Sequence, residues 1–136
     1  MYLVDTSVWI DYLRGTDTPG VQFLEKILSH KKSFGISSII YQEVLQGAST
    51  LKDFKNLSAY FSTQVFYHPK DPIASYQAAA EVYFNCRKRG LMIRSTIDCL
   101  IVQITIEHSL ILVHSDRDFK HIQKVIPDLK LFDDMG

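Results

Sequence analysis

Residues 94–108 restrict the possible fold of this chain more than any other stretch. Their apolar side chains recur at helical spacing, and the other sides of the predicted helix are apolar too. The stripe comprises Ile97, Leu100, Ile101, Ile104 and His108, and the other sides carry Cys99, Val102 and Ile106. A helix that is apolar on several sides must be covered by other elements. The stretch therefore predicts a central, largely buried helix.

Asp98 is a charged residue set against this apolar pattern. It follows Ser95 by three residues, the spacing of a capping-box variant, so its carboxylate falls in the first helical turn. The helix dipole favours an anion there. Taken alone, Asp98 is therefore interpreted as a helix-start acid. A second interpretation depends on where the other carboxylates of the chain fall.

Short apolar runs alternate with helical patterns along the chain. Strands are predicted at residues 2–4, 33–36, 64–67, 110–113 and 129–132. Helices are predicted after the Asp5-Thr6-Ser7 segment, from Pro19, from the Ser37-Ser38 cap, and at residues 49–62, 73–89 and 117–125. This alternation predicts an α/β fold with a central, mostly parallel sheet.

Size and charge narrow the class of protein. The 136 residues suit one domain, residues 1–136, and the net charge of zero lacks the general basic character of a nucleic-acid binder. Any RNA or DNA site must therefore be local. The N-terminus lacks the features of a signal peptide, so we expect a cytoplasmic protein with no membrane attachment. Cys86 and Cys99 lie in helical patterns and are predicted to be reduced core residues.

Four carboxylates fall where an α/β fold can gather them. Asp5 and Asp116 follow predicted strands, Asp98 lies in a first helical turn, and Glu43 lies within a helix. Ligands in such folds collect at the carboxyl ends of the strands. Clustered carboxylates repel one another, and a hard divalent cation such as Mg²⁺ or Mn²⁺ removes that repulsion. A cation held by carboxylates can promote phosphodiester hydrolysis without a His or Cys nucleophile, and helix N-termini offer amides to a phosphate.

A basic triplet, Arg87-Lys88-Arg89, ends the predicted helix at residues 73–89. It is the best local candidate for a phosphate contact. Cations at a helix C-terminus also complement the helix dipole whatever the function, and that interpretation is the stronger one from sequence.

Four segments, residues 4–10, 41–47, 94–101 and 114–119, resemble the acidic motifs of a PIN-domain ribonuclease of the VapC toxin type, in the same order. The resemblance covers nearly the whole chain, although between Ser49 and Gly90 it is one of helical pattern alone. It implies a PIN-like three-layer α/β/α domain and a Mg²⁺- or Mn²⁺-dependent endoribonuclease acting on structured RNA such as tRNA or rRNA. It also implies the toxin of a type II toxin–antitoxin pair, a homodimer, and a VapB-type antitoxin that blocks the active site.

The resemblance also assigns site residues. It implies that Asp5, Glu43, Asp98 and Asp116 are the catalytic and metal-binding set, with Asp118 as a possible fifth ligand that competes with Asp116. Thr6 and Ser7 are candidates for hydrogen bonds to the carboxylates or for RNA binding, although simple helix capping also accounts for them. Arg94 is a candidate phosphate contact or a solvated side chain. His114 and His121 are interpreted as surface or packing residues.

Two other functions are compatible with parts of this pattern. A phosphotransfer domain would use Asp5 but would need a second acid two residues on, where this chain has Ser7. An inactive PIN-like module would bind a protein partner in a groove lined by aromatic residues, namely Tyr60, Phe61, Tyr76, Tyr83 and Phe84. Such aromatics are more often core or dimer contacts, and the presence of all four acids favours an active enzyme.

Overall fold

A computed structural model describes residues 1–134 of the chain. Within them the strands are β1 (Tyr2–Val4), β2 (Phe34–Ile36), β3 (Val65–Phe66) and β4 (Ile111–Val113). The α-helices are α1 (Thr6–Arg14), α2 (Pro19–Ser29), α3 (Ser38–Gln46), α4 (Leu51–Phe61), α5 (Ala74–Lys88), α6 (Thr96–Glu107) and α7 (Asp118–Val125). A 3-10 helix, Phe132–Asp134, follows them. The predicted α/β fold is confirmed.

The four strands form one parallel sheet in the order β3-β2-β1-β4. Leu3 of β1 lies opposite Gly35 on one side and Leu112 on the other. The chain builds outward from β1 to β3 and then returns to the other side of β1 to place β4. The strand order therefore reverses between β1 and β4, and a crevice at the carboxyl ends of these two strands is the expected ligand site of such a sheet.

Local sequence signals account for the helix ends nearest the carboxyl edge of β1 and β2. The Asp5 side chain accepts a hydrogen bond from the Ser7 amide at the start of α1, and Gly15 ends that helix in the left-handed conformation at φ 74°. Ser37 caps α3 through the Ile40 amide, as predicted. These residues set the direction in which α1 and α3 leave the carboxyl edge of the sheet.

Helix α6 is largely buried, although its apolar stripe differs from the predicted one. The buried residues are Cys99, Ile101, Val102, Ile104 and Thr105, whereas Ile97 and Leu100 are only half-buried. Ile97 and Leu100 line an open cavity between α5 and α6. The spacing alone could not distinguish these sides because both are apolar, and packing against α5 and the rest of the core selects the face that is covered.

The predicted strand at residues 129–132 is wrong apart from one position. Leu131 forms an isolated parallel bridge with Leu112, and Phe132 already belongs to the 3-10 helix. The Asp134 amide donates to the Leu131 carbonyl, which turns the chain away from the sheet. Leu129, Leu131 and Phe132 are nevertheless buried, because the segment packs over β4. An apolar run beside a sheet edge can be buried without forming a ladder.

Cys86 and Cys99 are buried free thiols, which confirms the prediction for the cysteines. Burial raises the pKa of both thiols, and that of Cys99 reaches about 11. In the described part of the chain, no helix is long and apolar enough to cross a membrane.

Replacement of Gly20 by Ala should destabilise the fold, because α2 approaches the end of β4 closely at this residue. A Cβ atom at Gly20 would lie 2.7 Å from the His114 carbonyl oxygen and 3.1 Å from Val8 Cγ2. Since a backbone atom cannot move aside alone, we expect a loss of about 1–3 kcal/mol in the free energy of unfolding, measured by urea denaturation.

Gly47→Ala is the matched control. The backbone at Gly47 has φ −78°, and its added Cβ would lie no closer than 3.3 Å to another atom. This variant should be neutral or more stable by up to about 1 kcal/mol. Equal losses in the two variants would contradict the close contact at Gly20.

Candidate active site

The predicted carboxylates meet at the carboxyl edge of the sheet, at its switch point. Asp5 follows β1, Asp116 lies beyond the end of β4, and Asp98 lies in the first turn of α6. The carboxylates of Asp98, Asp116 and Asp118 each place an oxygen within 4.8 Å of the other two. Asp5 and Glu43 lie outside this group of three but close enough to act on Asp98 electrostatically.

Asp98 is the electrostatic centre of the cluster. Burial, together with the neighbouring charges of Asp5, Asp116, Asp118 and Glu43, raises the pKa of Asp98 to about 7. No Lys or Arg within residues 1–134 forms an ion pair with any of these five acids, and the imidazole of His121 lies with its Nδ1 atom 4.0 Å from Asp118 Oδ1. The cluster is therefore a concentration of negative charge without a protein counter-ion.

The helix-capping interpretation of Asp98 explains little of this geometry. Asp98 does lie in the first turn of α6, but the Ser95 side chain makes no capping hydrogen bond. The contact between them is a backbone bond from the Asp98 amide to the Ser95 carbonyl, at 3.2 Å. Asp98 is thus held among carboxylates without the reciprocal bonds of a capping box.

Asp5 is buried at the base of the site. Ser7 donates to its Oδ2 atom through both the hydroxyl, at 2.8 Å, and the amide, at 3.4 Å. Burial raises the pKa of Asp5, the bonds from Ser7 and a backbone bond from Thr6 oppose that shift, and the charge of Glu43 adds to it. Asp5 therefore both caps α1 and contributes to the cluster.

Glu43 reaches the site from α3 and is held there by Thr6. The Thr6 hydroxyl donates to Glu43 Oε1 at 2.8 Å, a contact between residues 37 positions apart. The Thr6 and Ser7 hydroxyls are thus bonded to site carboxylates. Simple capping, the other account of these two residues from sequence, does not describe them, since the N-cap of α1 is Asp5.

Asp116 and Asp118 are tied together. Asp116 Oδ1 accepts from the Asp118 amide at 2.9 Å at the start of α7. Both carboxylates belong to the close group, so the structure brings both predicted residues into the site.

His114 contacts the backbone of Asp116, a role that the sequence analysis did not predict. Its ring is only 5% exposed and packs against Phe119 and Phe132, while Nδ1 lies 2.9 Å from the Asp116 carbonyl oxygen. Packing is confirmed for His114. The signal available in the sequence was its place directly after a buried strand and two residues before Asp116.

The donor set fits a small, hard divalent cation. All the side-chain atoms offered are carboxylate oxygens, and ligands on opposite sides of a Mg²⁺ ion lie about 4.2 Å apart, given metal–oxygen distances near 2.1 Å. Oxygens of three residues within 4.8 Å of one another can therefore converge on one ion with small side-chain movements. No thiolate or His pair completes a zinc-like set among the described residues.

Arg94 and the predicted groove aromatics differ in their exposure. Arg94 is exposed in the segment that joins α5 to α6, just before the turn that carries Asp98. Tyr60, Tyr76 and Phe84 are exposed as a surface groove would require, and Tyr83 is half-buried. Phe61, however, is 1% exposed and packs on Trp9, so its proposed place in such a groove is wrong.

Comparison with known proteins adds independent information. The profile of the family described as "PIN domain" matches residues 2–125. The chain is 31% identical over 126 residues to the VapC ribonuclease Mb1587 of Mycobacterium bovis, and the match covers 92% of this chain and 93% of that protein.

Solved structures share the fold. VapBC2 from Rickettsia felis, bound to a DNA fragment from its promoter, aligns with a TM-score of 0.70 at 20% identity and covers 96% of both chains. A toxin–antitoxin complex from Klebsiella pneumoniae aligns with a TM-score of 0.63 at 19% identity and covers 95% of both chains. At these identities the likeness concerns the fold, and it confirms the three-layer α/β/α architecture.

Asp98→Asn should stabilise the cation-free protein at neutral and alkaline pH, since it removes a charge that four neighbouring carboxylates repel. Between the ordinary pKa of 3.8 and the folded-state pKa of about 7, the folded protein keeps a proton that the unfolded chain has lost. Wild-type stability therefore falls as pH rises through this window, by at most about 1.4 kcal/mol per pH unit. The advantage of the variant should shrink as pH falls towards 4, as measured by urea unfolding in EDTA.

Asp53→Asn is the control, because Asp53 is an exposed acid in the first turn of α4. Its free energy of unfolding should fall by about 0.3–1 kcal/mol, because the variant loses the favourable interaction of the Asp53 charge with the helix dipole. If Asp98→Asn were destabilised in the same way at every pH, Asp98 would be a helix-start charge and not part of an electrostatic cluster.

Proposed function

Because the chain belongs to the PIN domain family, we propose that it is a metal-dependent endoribonuclease and the toxin of a type II toxin–antitoxin pair. Its reaction is the hydrolysis of phosphodiester bonds within structured RNA, such as tRNA or rRNA. The relative from Mycobacterium bovis is named a ribonuclease, which supports this reaction class. Because tRNA and rRNA are cytoplasmic molecules, we propose that the protein acts in the cytoplasm.

The convergence of Asp98, Asp116 and Asp118 is the observation that carries the proposal. Their oxygens lie within 4.8 Å of one another at the switch point of the sheet, with Asp5 and Glu43 beside them. Such a cluster raises the energy of the cation-free protein, so its retention in a small domain calls for a function that uses the charge. We assign Asp5, Glu43, Asp98 and Asp116 as the catalytic set and Asp118 as a further metal ligand.

Mg²⁺ or Mn²⁺ bound by these carboxylates would lower the pKa of a water molecule and stabilise negative charge on the phosphate and the leaving oxygen. Hydrogen bonds within the chain hold the carboxylates in position. Ser7 fixes Asp5, and Thr6 fixes one oxygen of Glu43. The Asp118 amide fixes one oxygen of Asp116. Such pre-positioning reduces the reorganisation that the reaction requires.

Arg94, Thr6 and Ser7 are our candidates for RNA binding. Arg94 is exposed and precedes α6, so its guanidinium can donate two hydrogen bonds to a phosphate beside the cluster. Thr6 and Ser7 act through the carboxylates to which they donate. Since Ser95 leaves the start of α6 uncapped, its first amides are also suited to an anionic phosphate.

Purified protein freed of any partner should cut bulk tRNA or rRNA internally in Mg²⁺ or Mn²⁺, and not in EDTA, because the carboxylates need the cation to act. Asp98→Asn should reduce the cleavage rate by at least about 100-fold, the upper end of the effect seen when supporting residues of metal sites are lost. Gel analysis of end-labelled RNA measures both results.

Asp53→Asn, an exposed acid outside the cluster, should cut at the wild-type rate. A folded wild-type protein that left RNA intact in both cations would favour the other candidate, a catalytically inactive PIN-like module that binds a protein partner.

We also propose that a VapB-type antitoxin covers the protein beside the site. Helices α1, α3 and α4 enclose an open cavity of about 550 Å³ with Leu13, Val44 and Leu57 in its walls. Leu13 is 50% exposed, so this cavity leaves apolar surface in water. An antitoxin segment that filled the cavity and placed an Arg or Lys on the carboxylates would neutralise them as a cation does.

A homodimer is the second assembly that we propose. An apolar cavity of about 450 Å³ between α5 and α6 is lined by residues that include Tyr76, Tyr83 and Leu100. Tyr76 is 52% exposed. A second copy of the chain on this face would bury the half-buried stripe of α6 and leave the α1 and α4 face open to the antitoxin.

Leu13→Glu should weaken antitoxin binding by at least about thirtyfold, because it places a charge against an apolar partner at the cavity wall; a loss of about 2 kcal/mol marks a binding hot spot. Calorimetric titration with a VapB-type antitoxin that binds the wild-type protein measures this. Ile73→Glu is the control, since Ile73 is 78% exposed but lies outside the cavity. Equal affinity of wild type and Leu13→Glu, with cleavage intact, would contradict this docking surface.

A further inference from the structure

Two cations of the basic triplet line a cavity of their own. Lys88 and Arg89, with Asn85 and Val125, surround an open cavity of about 500 Å³ between the C-terminal ends of α5 and α7. Arg87, the third cation, lies over the Tyr83 ring with its Cζ atom 5.6 Å from the ring centre. The triplet is therefore divided, with Arg87 stacked on the protein and the other two facing the cavity.

The charges of Lys88 and Arg89 are not neutralised by the protein. Across residues 1–134, Lys120 is the only Lys or Arg in an ion pair with a carboxylate, its partner being Asp133. The Asn85 side chain has no hydrogen-bond partner in the same part of the chain. Two cations and a free amide around one cavity can donate to an anion from several directions.

This cavity lies close to the acidic cluster. Helix α7 begins at Asp118, in the cluster, and ends at Val125, in the cavity wall. Its eight residues span about 12 Å at 1.5 Å per residue. Cys86, in the last turn of α5, is close enough to contribute to the raised pKa of Cys99, in the first turn of α6. Helix α5 therefore ends beside the start of the helix that carries Asp98.

The helix dipole alone does not account for this arrangement. Lys31 and Lys32 follow the C-terminal end of α2 and have the same favourable relation to a dipole, but they precede β2 and so lie at the opposite edge of the sheet. They line neither this cavity nor the two described above. The pair on α5 differs in facing a cavity on the side of the acidic cluster.

We propose that Asn85, Lys88 and Arg89 form a second phosphate-binding site for the RNA strand whose cleavage is proposed above, on which this inference rests. A distance of about 12 Å corresponds to three or four nucleotides at the axial rise of about 3.4 Å per nucleotide of a stacked strand. The cluster itself repels RNA until a cation is bound, so a separate cationic site would hold the strand and direct one bond into the acidic centre.

The test compares steady-state cleavage of bulk tRNA in Mg²⁺ by the wild type and three double variants over a range of KCl concentrations. Lys88→Gln/Arg89→Gln should raise KM about tenfold with kcat unchanged, and should reduce the slope of log kcat/KM against log salt by about 1 to 2. Lys31→Gln/Lys32→Gln, which removes the same charge at another helix end, should match wild type. Lys88→Arg/Arg89→Lys keeps both charges and should retain near wild-type KM.

Several results would overturn the second site while leaving the nuclease intact. They are an unchanged KM and salt slope in the Gln variant, a fall in kcat in place of a rise in KM, and an equal defect in the Lys31/Lys32 control or in the charge-keeping variant. A wild-type protein that cuts no RNA in either cation would instead overturn the proposed function itself. Thermal melting of each variant separates loss of the fold from loss of the site.

Discussion

Repulsion among carboxylates at one edge of the sheet is the constraint on which the rest of this structure depends. Asp98 lies within the influence of four other acids, and its pKa of about 7 measures how unfavourable its charge is there. A fold can hold such a group only if its surroundings resist relaxation. The buried strands β1 and β4 and the helix α6 provide that rigidity, because their positions are fixed by the core and not by the carboxylates themselves.

Hydrogen bonds around the cluster orient the acids without neutralising them. Ser7 donates to Asp5, Thr6 to Glu43, and the Asp118 amide to Asp116. Each donor is an uncharged group, so the negative charge of the site is preserved for a ligand. Within residues 1–134 the one Lys that forms an ion pair is Lys120, and its partner Asp133 lies in the C-terminal 3-10 helix, outside the group of five. An acidic centre held by uncharged hydrogen-bond donors is suited to a cation that binds reversibly, or to a cationic side chain of a partner.

The errors of the sequence analysis have one origin. The strand at residues 129–132 and the stripe of α6 were both predicted from apolar spacing, which reports that a residue is buried but not what covers it. Residues 129–132 are buried against β4 with one bridge in place of a ladder, and Cys99, Val102 and Thr105 are covered more deeply than Ile97 and Leu100. Phe61, assigned to a surface groove, instead packs on Trp9 in the core.

The sequence by itself determined the α/β class, the order of elements and the identity of the acids. These follow from local chemistry: strand and helix periods, capping residues, and carboxylates placed just after strands or at helix starts. Only the tertiary structure decided which acids share a site, that Thr6 meets Glu43 across 37 residues, that His114 supports Asp116, and that Lys88 and Arg89 face a cavity beside α7. Distances between separate elements, and the desolvation that shifts the pKa of Asp98, depend on how the elements pack, and a linear pattern does not contain that information.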